Sequence, residues 1–291
     1  MNHTPPPVWR TSRFEIDLSE PRVMGIVNAT PDSFSDGGQY FSAESPTRAL
    51  AHCEELVRAG ADLLDIGGES SRPGAPALPL DEELARVLPV VRHAVTLGVP
   101  VSVDTYKPAV MQAALDLGAD IINDIWALRR EGARGVVAAH GRCGVCLMHM
   151  HREPVSMQTA PMEGDAVAQV REFLRSAAQE LLAHGVDRSR IALDPGVGFG
   201  KTVEQNFALL ARQEELLGLG FPMLVGWSRK SSLATVTGDT YGKVDEANLP
   251  GRMLSSVAAA LIAVERGARI VRVHDVGETV QALKVWRAAR P

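Results

Sequence analysis

The feature that most constrains this chain is an alternation repeated eight times. Short runs rich in Val, Ile and Leu recur at residues 23–27, 62–66, 99–103, 120–125, 144–148, 191–193, 222–227 and 269–273. Each has the length of one strand. Amphipathic segments rich in Ala, Leu and Glu lie between them, among them residues 46–59, 82–97, 108–117, 165–184, 203–217, 251–266 and 278–289. Strands that alternate with helices must run parallel, because each helix carries the chain back to the same edge. Eight such units predict an α/β fold, a (β/α)8 TIM barrel closed on itself. The 291 residues suit one barrel, and no linker divides them. The expected organisation is a flexible lead-in over residues 1–12, containing Pro5, Pro6 and Pro7, and a single barrel domain over residues 13–291. Residues 14–18 and the Ser-Glu-Pro that follows are expected to form a short hairpin ahead of the barrel.

Local punctuation agrees with this reading. Pro108 suits the first turn of a helix, where its missing N–H is not needed. Gly60, Gly98, Gly118, Gly185 and Gly267 fall just past helix ends, where a left-handed cap is common. Pro89 lies inside the second helical segment and predicts a kink or an early break. Hydrophobic residues make up 45% of the chain, enough for a large core. A net charge of −5 with no Lys/Arg run argues against a nucleic-acid surface, although it leaves room for a local cationic pocket. Three cysteines, an odd number, argue against a disulfide framework and for the reducing cytoplasm. The first residues lack the basic start and apolar stretch of a secretory leader, and no run reaches the length of a membrane span.

The strands end in polar residues. Asn28 ends the first, and Glu69, Ser70 and Ser71 follow the second. Asp104 ends the third, and Asn123 and Asp124 lie on the fourth. Met148 and His149 end the fifth, and Asp194 ends the sixth. The seventh runs into Ser228, Arg229 and Lys230, and the eighth holds Arg272 and His274. Strand period two puts Ser102 with Asp104, Gly226 with Ser228 and Arg272 with His274 on shared faces, while Val101, Val103, Val271 and Val273 face the helices. Closure would gather the polar set at the C-terminal rim, where barrel enzymes place their chemistry. Two long segments after strands, residues 29–42 and 70–80, would sit on the same rim. Asp104, Asn123 and Asp194 are acceptor-rich and suit adjacent N–H donors like those of a guanidine edge. Lys230, Arg272 and His274 suit an anion or a ring carbonyl, and Arg272 could stack on a flat ring. Asn28 offers a neutral oxygen, which suits weak ligation of a Mg²⁺ that keeps most of its waters. A flat, donor-bearing heterocycle beside an anion fits this set.

Three look-alikes do not hold. The Gly196-Val197-Gly198-Phe199-Gly200-Lys201-Thr202 run has Pro195 where a phosphate loop requires its first Gly, and Val203 stands where a dinucleotide fingerprint needs a small residue. Its better reading is a Gly-rich turn that a ligand can approach closely. Cys143 and Cys146 form one C-x-x-C with no second pair and read as packing cysteines. His149 and His151 share a strand face but lack a carboxylate in a metal-site pattern.

The residues also resemble a known family. Met24 through Gly38 (MGIVNATPDSFSDGG) closely resembles the first signature of dihydropteroate synthases, and Gly67 through Gly74 (GGESSRPG) resembles the second. Ser-Val-Asp-Thr at 102–105, Ile-Asn-Asp-Ile at 122–125, Leu-Met-His-Met at 147–150, Asp-Pro-Gly at 194–196, Ser-Arg-Lys at 228–230 and Arg-Val-His-Asp at 272–275 follow in order. The resemblance runs from about Val23 to the C-terminus. It implies that 6-hydroxymethyl-7,8-dihydropterin diphosphate is condensed with p-aminobenzoate to 7,8-dihydropteroate and diphosphate, through an SN1-like pterin cation. By the same resemblance, Asp104, Asn123, Asp194 and Lys230 would hold the pterin, with Ile125, Met148 and Gly226 lining its ring and Arg272 stacked on it. Asn28, Arg272 and His274 would bind the diphosphate, with Mg²⁺ on Asn28. Ser71, Arg72, Pro73, Phe199 and Ser228 would bind p-aminobenzoate. Asp104, Asn28, Lys230, Arg272 and His274 would carry the catalysis. The family is commonly dimeric and a sulfonamide target, which implies a homodimer with small-molecule substrates and neither nucleic acid nor membrane as partner.

Three departures stand out: Ala29 for the usual Val, Ser71 for the usual Thr, and His151-Arg152-Glu153-Pro154 in place of a Gln-Gly-type turn. Two alternatives share the barrel. A methyltetrahydrofolate–corrinoid methyltransferase should lack the segment from Asn28 to Gly38 and the Ser228-Arg229-Lys230 turn, both present here. A non-catalytic pterin-binding homologue should be damaged at Asn28, Asp104, Lys230 or Arg272, all of which are intact.

Overall fold

A computed structural model describes residues 7–29, 45–70, 77–152, 157, 161–238 and 250–290. The chain opens with an antiparallel hairpin, β1 (Val8–Arg10) and β2 (Glu15–Asp17). Eight parallel strands follow: β3 (Arg22–Asn28), β4 (Leu63–Gly67), β5 (Val101–Asp104), β6 (Ile121–Asp124), β7 (Gly144–Met148), β8 (Ile191–Asp194), β9 (Leu224–Val225) and β10 (Ile270–Val273). Their order is β8-β7-β6-β5-β4-β3-β10-β9, and a parallel bridge from Leu193 to Met223 joins the two ends. The ring is therefore closed, as the eightfold alternation predicts.

Each strand is apolar on both sides for a different reason on each. Val23, Val27, Leu64, Ile66, Val101, Val103, Ile122, Val145, Leu147, Val271 and Val273 point outward into the layer between sheet and helices. Met24, Leu63, Ile121, Cys146, Ala192, Leu224 and Ile270 point inward and form a separate cluster inside the barrel. Two residues further along the same inward faces come Asp65, Asn123, Met148, Asp194, Gly226 and Arg272. Period-two geometry thus stacks an apolar layer beneath a polar one.

The hairpin plugs the lower end of that apolar layer. Trp9, Ile16 and Leu18 join the inner cluster, and Trp9 is fully buried with its indole N–H donating to the Arg190 carbonyl at 2.9 Å. Arg13 locks the plug, donating through Nε at 3.0 Å and Nη2 at 2.6 Å to the buried Asp120 carboxylate. This corrects the expected lead-in over residues 1–12: among the described residues, those from Val8 onward are structural. It also corrects the hairpin, whose partner strand precedes residues 14–18 rather than following them.

The helices are α1 (Ser45–Arg58), α2 (Leu80–Ala94), α3 (Pro108–Asp116), α4 (Ala133–His140), α5 (Ala166–Ala183), α6 (Val203–Ala211), α7 (Gln213–Leu217), α8 (Ser231–Thr237), α9 (Pro250–Glu265) and α10 (Val276–Ala288). All five cap glycines adopt positive φ, between 77° and 99°. The early break expected at Pro89 does not occur: α2 runs through it, held by the buried Val87, Val90, Val91 and Ala94. The segment expected as one helix over residues 203–217 splits at Arg212 into α6 and α7. There the buried Gln213 amide turns away to donate to the carbonyls of Ala263 (2.9 Å) and Arg266 (3.0 Å). No helix among the described residues is long and apolar enough to cross a membrane.

α6 starts on a full capping box, Thr202 accepting from the Gln205 N–H while the Gln205 side chain accepts from the Thr202 N–H. Thr202→Ala should therefore cost about 1 kcal/mol, a fall of roughly 2–4 °C in Tm for a chain of this size. Calorimetry checks this, and an unchanged Tm would show that tertiary packing alone sets the helix start.

Candidate active site

The polar layer is centred on one guanidinium. Arg272, inward on β10, donates from Nε to Asp65 Oδ2 at 2.6 Å and from Nη2 to Asp104 Oδ2 at 2.9 Å. Asp65 is completely buried and also accepts from Asn123 Nδ2 at 3.1 Å, while its Oδ1 has no partner. Register places the neighbours at one level, with Asn28 beside Gly67, Gly67 beside Asp104, and Asp104 beside Asn123. On the opposite wall Met148 pairs with Asp194. Asp194 accepts from the Gly196 N–H at 2.7 Å. At Gly226 the backbone is bare beside Arg272, where an added Cβ would lie 4.0 Å from Arg272 Cβ.

Burial sets the charge states here. Desolvation pushes Asp104 up to about 7, aided by Asp65 and Asp124 and opposed by Arg272. It pushes Asp194 up to about 6 against the Gly196 N–H, Lys230 and Arg272. It pulls Lys230 down to about 8, with Arg272 adding to the effect and Asp194 and Asp104 opposing it. For Arg272 the desolvation is outweighed by Asp65 and Asp104, so it stays charged. Burial therefore holds Asp104 and Asp194 toward their neutral forms beside the charged Arg272 until something with N–H donors enters.

The rim adds apolar walls and a second polar pair. Ile125, Met148, Met150, Met157 and Phe199 cluster together, with Tyr106 and Trp126 against them. Lys230 Nζ lies 4.3 Å from the centre of the Phe199 ring. Ser228 Oγ sits 2.9 Å from His274 Nδ1 and accepts the His274 backbone N–H at 3.1 Å. Arg229 is held in the left-handed region, φ 59°, where its guanidinium pairs with Asp275 at 2.7 Å. A cavity of about 320 Å³ opens between Gly198, Lys201 and Thr202 on one side and Ser231 and Ser232 on the other.

The structure thus gathers Asn28, Asp104, Asn123, Ile125, Met148, Asp194, Phe199, Gly226, Ser228, Lys230, Arg272 and His274 at one end of the barrel. Ser71, Arg72 and Pro73, and most of the segments 29–42 and 70–80, lie outside the described residues. Asp124 is a turn former, accepting from the N–H groups of Trp126 (2.7 Å) and Leu128 (2.8 Å). Asp65 escaped the sequence reading although it lies two residues before Gly67 on the inward face of β4. A second group lies beside the exits of β4 and β5, of which the sequence reading named Glu69 but not Tyr106, Lys107 or Glu83. Lys107 pairs with both Glu69 and Glu83, Tyr106 donates to Glu69 at 2.8 Å, and Thr105 donates to Glu83 at 2.6 Å.

The cysteine pair and His149 are packing residues. Cys143 and Cys146 are buried in different clusters, outside and inside the barrel wall. His149 packs edge-on against Phe173 at 4.9 Å, and burial with Lys201 nearby pushes it down to about 2, so it stays neutral. Among the described residues no three His, Cys, Asp or Glu side chains could hold a metal ion together.

The model of the pterin binding enzyme family matches residues 24–274. A dihydropteroate synthase of Neisseria meningitidis serogroup B is 50% identical over 285 residues, 97% of each chain. That of Escherichia coli (strain K12) is 44% identical over 274 residues, 94% of this chain and 93% of its own. Among solved structures, Xanthomonas albilineans dihydropteroate synthase with 4-aminobenzoic acid superposes at TM-score 0.88 with 46% identity, covering 99% of this chain and 100% of its own. Burkholderia cenocepacia dihydropteroate synthase complexed with 7,8-dihydropteroate superposes at 0.84 with 49% identity, covering 98% and 97%.

Proposed function

The chain belongs to the pterin-binding enzymes and, among them, to the dihydropteroate synthases, and from that premise we infer how its own residues run the condensation. The observation that carries the reading is the Arg272 guanidinium spanning Asp65 and Asp104, with Asn123 bonded to Asp65 and with Asp194 and Lys230 within electrostatic reach. Acceptors and cations alternate around the site, which suits a pterin whose amino and ring N–H donors face Asp104, Asn123 and Asp194 while its carbonyl meets Lys230. Ile125, Met148 and the bare Gly226 backbone would line the flat ring, with Arg272 stacked against it.

In the reaction the C–O bond between the pterin methylene and diphosphate breaks and its electron pair leaves with the diphosphate. The methylene carbon becomes a cation conjugated with the pterin. Asp104, ionised by the donors it accepts from, stabilises that cation, and Arg272 and His274 neutralise the leaving anion. The p-aminobenzoate nitrogen then donates its lone pair to form the C–N bond, and its surplus proton passes to the released diphosphate. An arylamine attacking a cation needs no strong base, so Phe199 and Ser228 would position it and exclude water, with Ser71, Arg72 and Pro73 expected to join them in binding it. Asn28, the half-buried last residue of β3, offers one neutral oxygen. Asn28 would hold a Mg²⁺ whose remaining ligands come from outside the protein, and such an ion would supply positive charge near the departing diphosphate.

Purified protein given the dihydropterin diphosphate, p-aminobenzoate and Mg²⁺ should release dihydropteroate and diphosphate; folded protein that forms neither would overturn the reading. Lys230→Ala should weaken pterin binding about tenfold, the loss of one charge-assisted hydrogen bond, and unchanged affinity by calorimetry would remove Lys230 from the pocket. A homodimer in the reducing cytoplasm is the matching setting. Its support is the exposed Leu254, Ile262 and Val285 on α9 and α10 and the three free, buried cysteines, and light scattering tests the stoichiometry.

A further inference from the structure

Lys201 has no part in the reaction above, yet its ammonium is deeply enclosed. The residue is 3% exposed, and among the described residues no carboxylate pairs with it. Its three donors go to three backbone carbonyls: Gly196 at 2.8 Å, Phe199 at 3.1 Å and His149 at 3.4 Å. Burial pulls that ammonium down to about 7, with the Asp194 carboxylate opposing and Lys230 adding to the effect, so the charge is kept by the field of Asp194 and by hydrogen bonds that are all made. Three converging carbonyl dipoles are the kind of cage that elsewhere holds a bare monovalent cation.

The carbonyls come from two segments that touch backbone to backbone. The turn after β8 presses on the residues after β7 so closely that a Cβ on Gly196 would fall 1.9 Å from the His149 oxygen, and one on Gly200 would fall 2.7 Å from the His151 oxygen. The His151 N–H donates to the Phe199 carbonyl at 3.4 Å, and the Met162 N–H to the Gly200 carbonyl at 2.9 Å. The turn carries reacting-site groups at its start, middle and end. Its Gly196 N–H holds Asp194 at 2.7 Å, a Cβ on Gly198 would lie 3.1 Å from Lys230 Cδ, and the Phe199 ring lies under Lys230 Nζ.

We propose that Lys201 is a positioning residue, an internal monovalent cation whose ammonium clamps the Gly196–Gly200 turn to the His149–His151 segment and so fixes Phe199 and Lys230 for the incoming arylamine. The proposal rests on the reading that p-aminobenzoate lies beside Phe199. Without the ammonium three carbonyl oxygens face one another, the turn relaxes, and Phe199 leaves its place. A shift of about 1 Å at a positioned reactant is worth roughly a hundredfold in rate.

The test is steady-state kinetics on full-length K201M and K201A, with folded sites counted by pterin titration. The expected result is a KM for p-aminobenzoate raised at least about tenfold and by more than the accompanying rise in pterin Kd, which stays below the tenfold expected of Lys230→Ala because Lys230 itself is still present. In K201A, K⁺ or methylammonium should restore most of that KM, and tetramethylammonium, too large for the cage, should not. A p-aminobenzoate KM unchanged in folded variants, whatever their Tm, overturns the proposal, as does the absence of any cation effect on K201A. K201Q, shorter and uncharged, takes the same criterion if the others do not fold. In ¹⁵N-lysine wild type the slowly exchanging Lys201 ammonium signal should shift when p-aminobenzoate joins the pterin-loaded enzyme, and no shift overturns the role. Wild-type turnover in the same assay separates the two readings. Product with an unchanged variant KM removes Lys201 alone, whereas no product from wild type removes the reading of function.

Discussion

Asp104→Asn lowers turnover by roughly 10²–10³-fold, the usual loss when a group that meets transition-state charge is removed, while moving Tm by only about 2–3 °C. The two halves have separate causes. Turnover falls because a carboxamide cannot face the pterin cation with a negative charge. Stability holds because Asp104 gains little from its charge in the empty site: burial already pushes its carboxyl up to about 7. Its side chain is 15% exposed, and an Asn oxygen can still accept the Arg272 Nη2–H now at 2.9 Å. Asp65 makes the contrast. It touches the same guanidinium but is wholly buried and also holds Asn123, so Asp65→Asn should cost about 3–5 kcal/mol, the usual result of breaking a buried pair. Kinetics and calorimetry on both variants decide the assignment. A large Tm loss with turnover retained in Asp104→Asn would give the residue a structural role instead.

Much of this site was legible because a closed parallel barrel writes its geometry into short strings. Strands covered on both faces read as unbroken apolar runs, so β3 to β10 were recognisable from residues alone. The polar residues at their ends, from Asn28 to His274, pointed to one rim. What stayed hidden depends on contacts between distant parts of the chain. Trp9 follows a Pro-rich stretch that reads as mobile, and only its hydrogen bond to Arg190, 181 residues away, makes it a plug. Gln213 sits in an unbroken helical pattern, and its partners lie in and just past α9. Asp65 had a signal, since the alternation Leu63, Asp65, Gly67 puts it under the rim, but an apolar run conceals one charge among four neighbours. Lys201 had a misleading one. Gly-Lys-Thr suggests an ammonium aimed outward at phosphate, and only the approach of the His149–His151 backbone turns it inward.

The affinity of the enzyme for the pterin should tighten as pH rises from about 5.5 to about 7.5 and weaken again above about 8, because Asp104 and Asp194 must lose protons and Lys230 must keep its own. Burial holds Asp104 protonated up to about 7 and Asp194 up to about 6. Neither then accepts fully from the pterin's N–H donors below those values, and each lost acceptor costs up to about tenfold in affinity per pH unit. On the alkaline side Lys230, lowered to about 8, begins to give up its charge. The sign for stability is the reverse. Both carboxyls have folded-state values above their unfolded reference of 3.8, so the native protein binds protons more tightly than the unfolded chain between about 4 and 7. Through these two groups the ligand-free protein loses stability as pH climbs through that window, and the pterin, by preferring the ionised forms, restores it. The rise in Tm on adding pterin should therefore be larger at pH 7.5 than at pH 5.5. Asp104→Asn should lose the limb of the affinity profile near 7 and keep the one near 6 that belongs to Asp194. Titration calorimetry across this range, on wild type and variant, decides the matter. Equal affinity at pH 5.5 and 7.5 would mean that the carboxylates enter the complex already ionised, or do not touch the pterin at all.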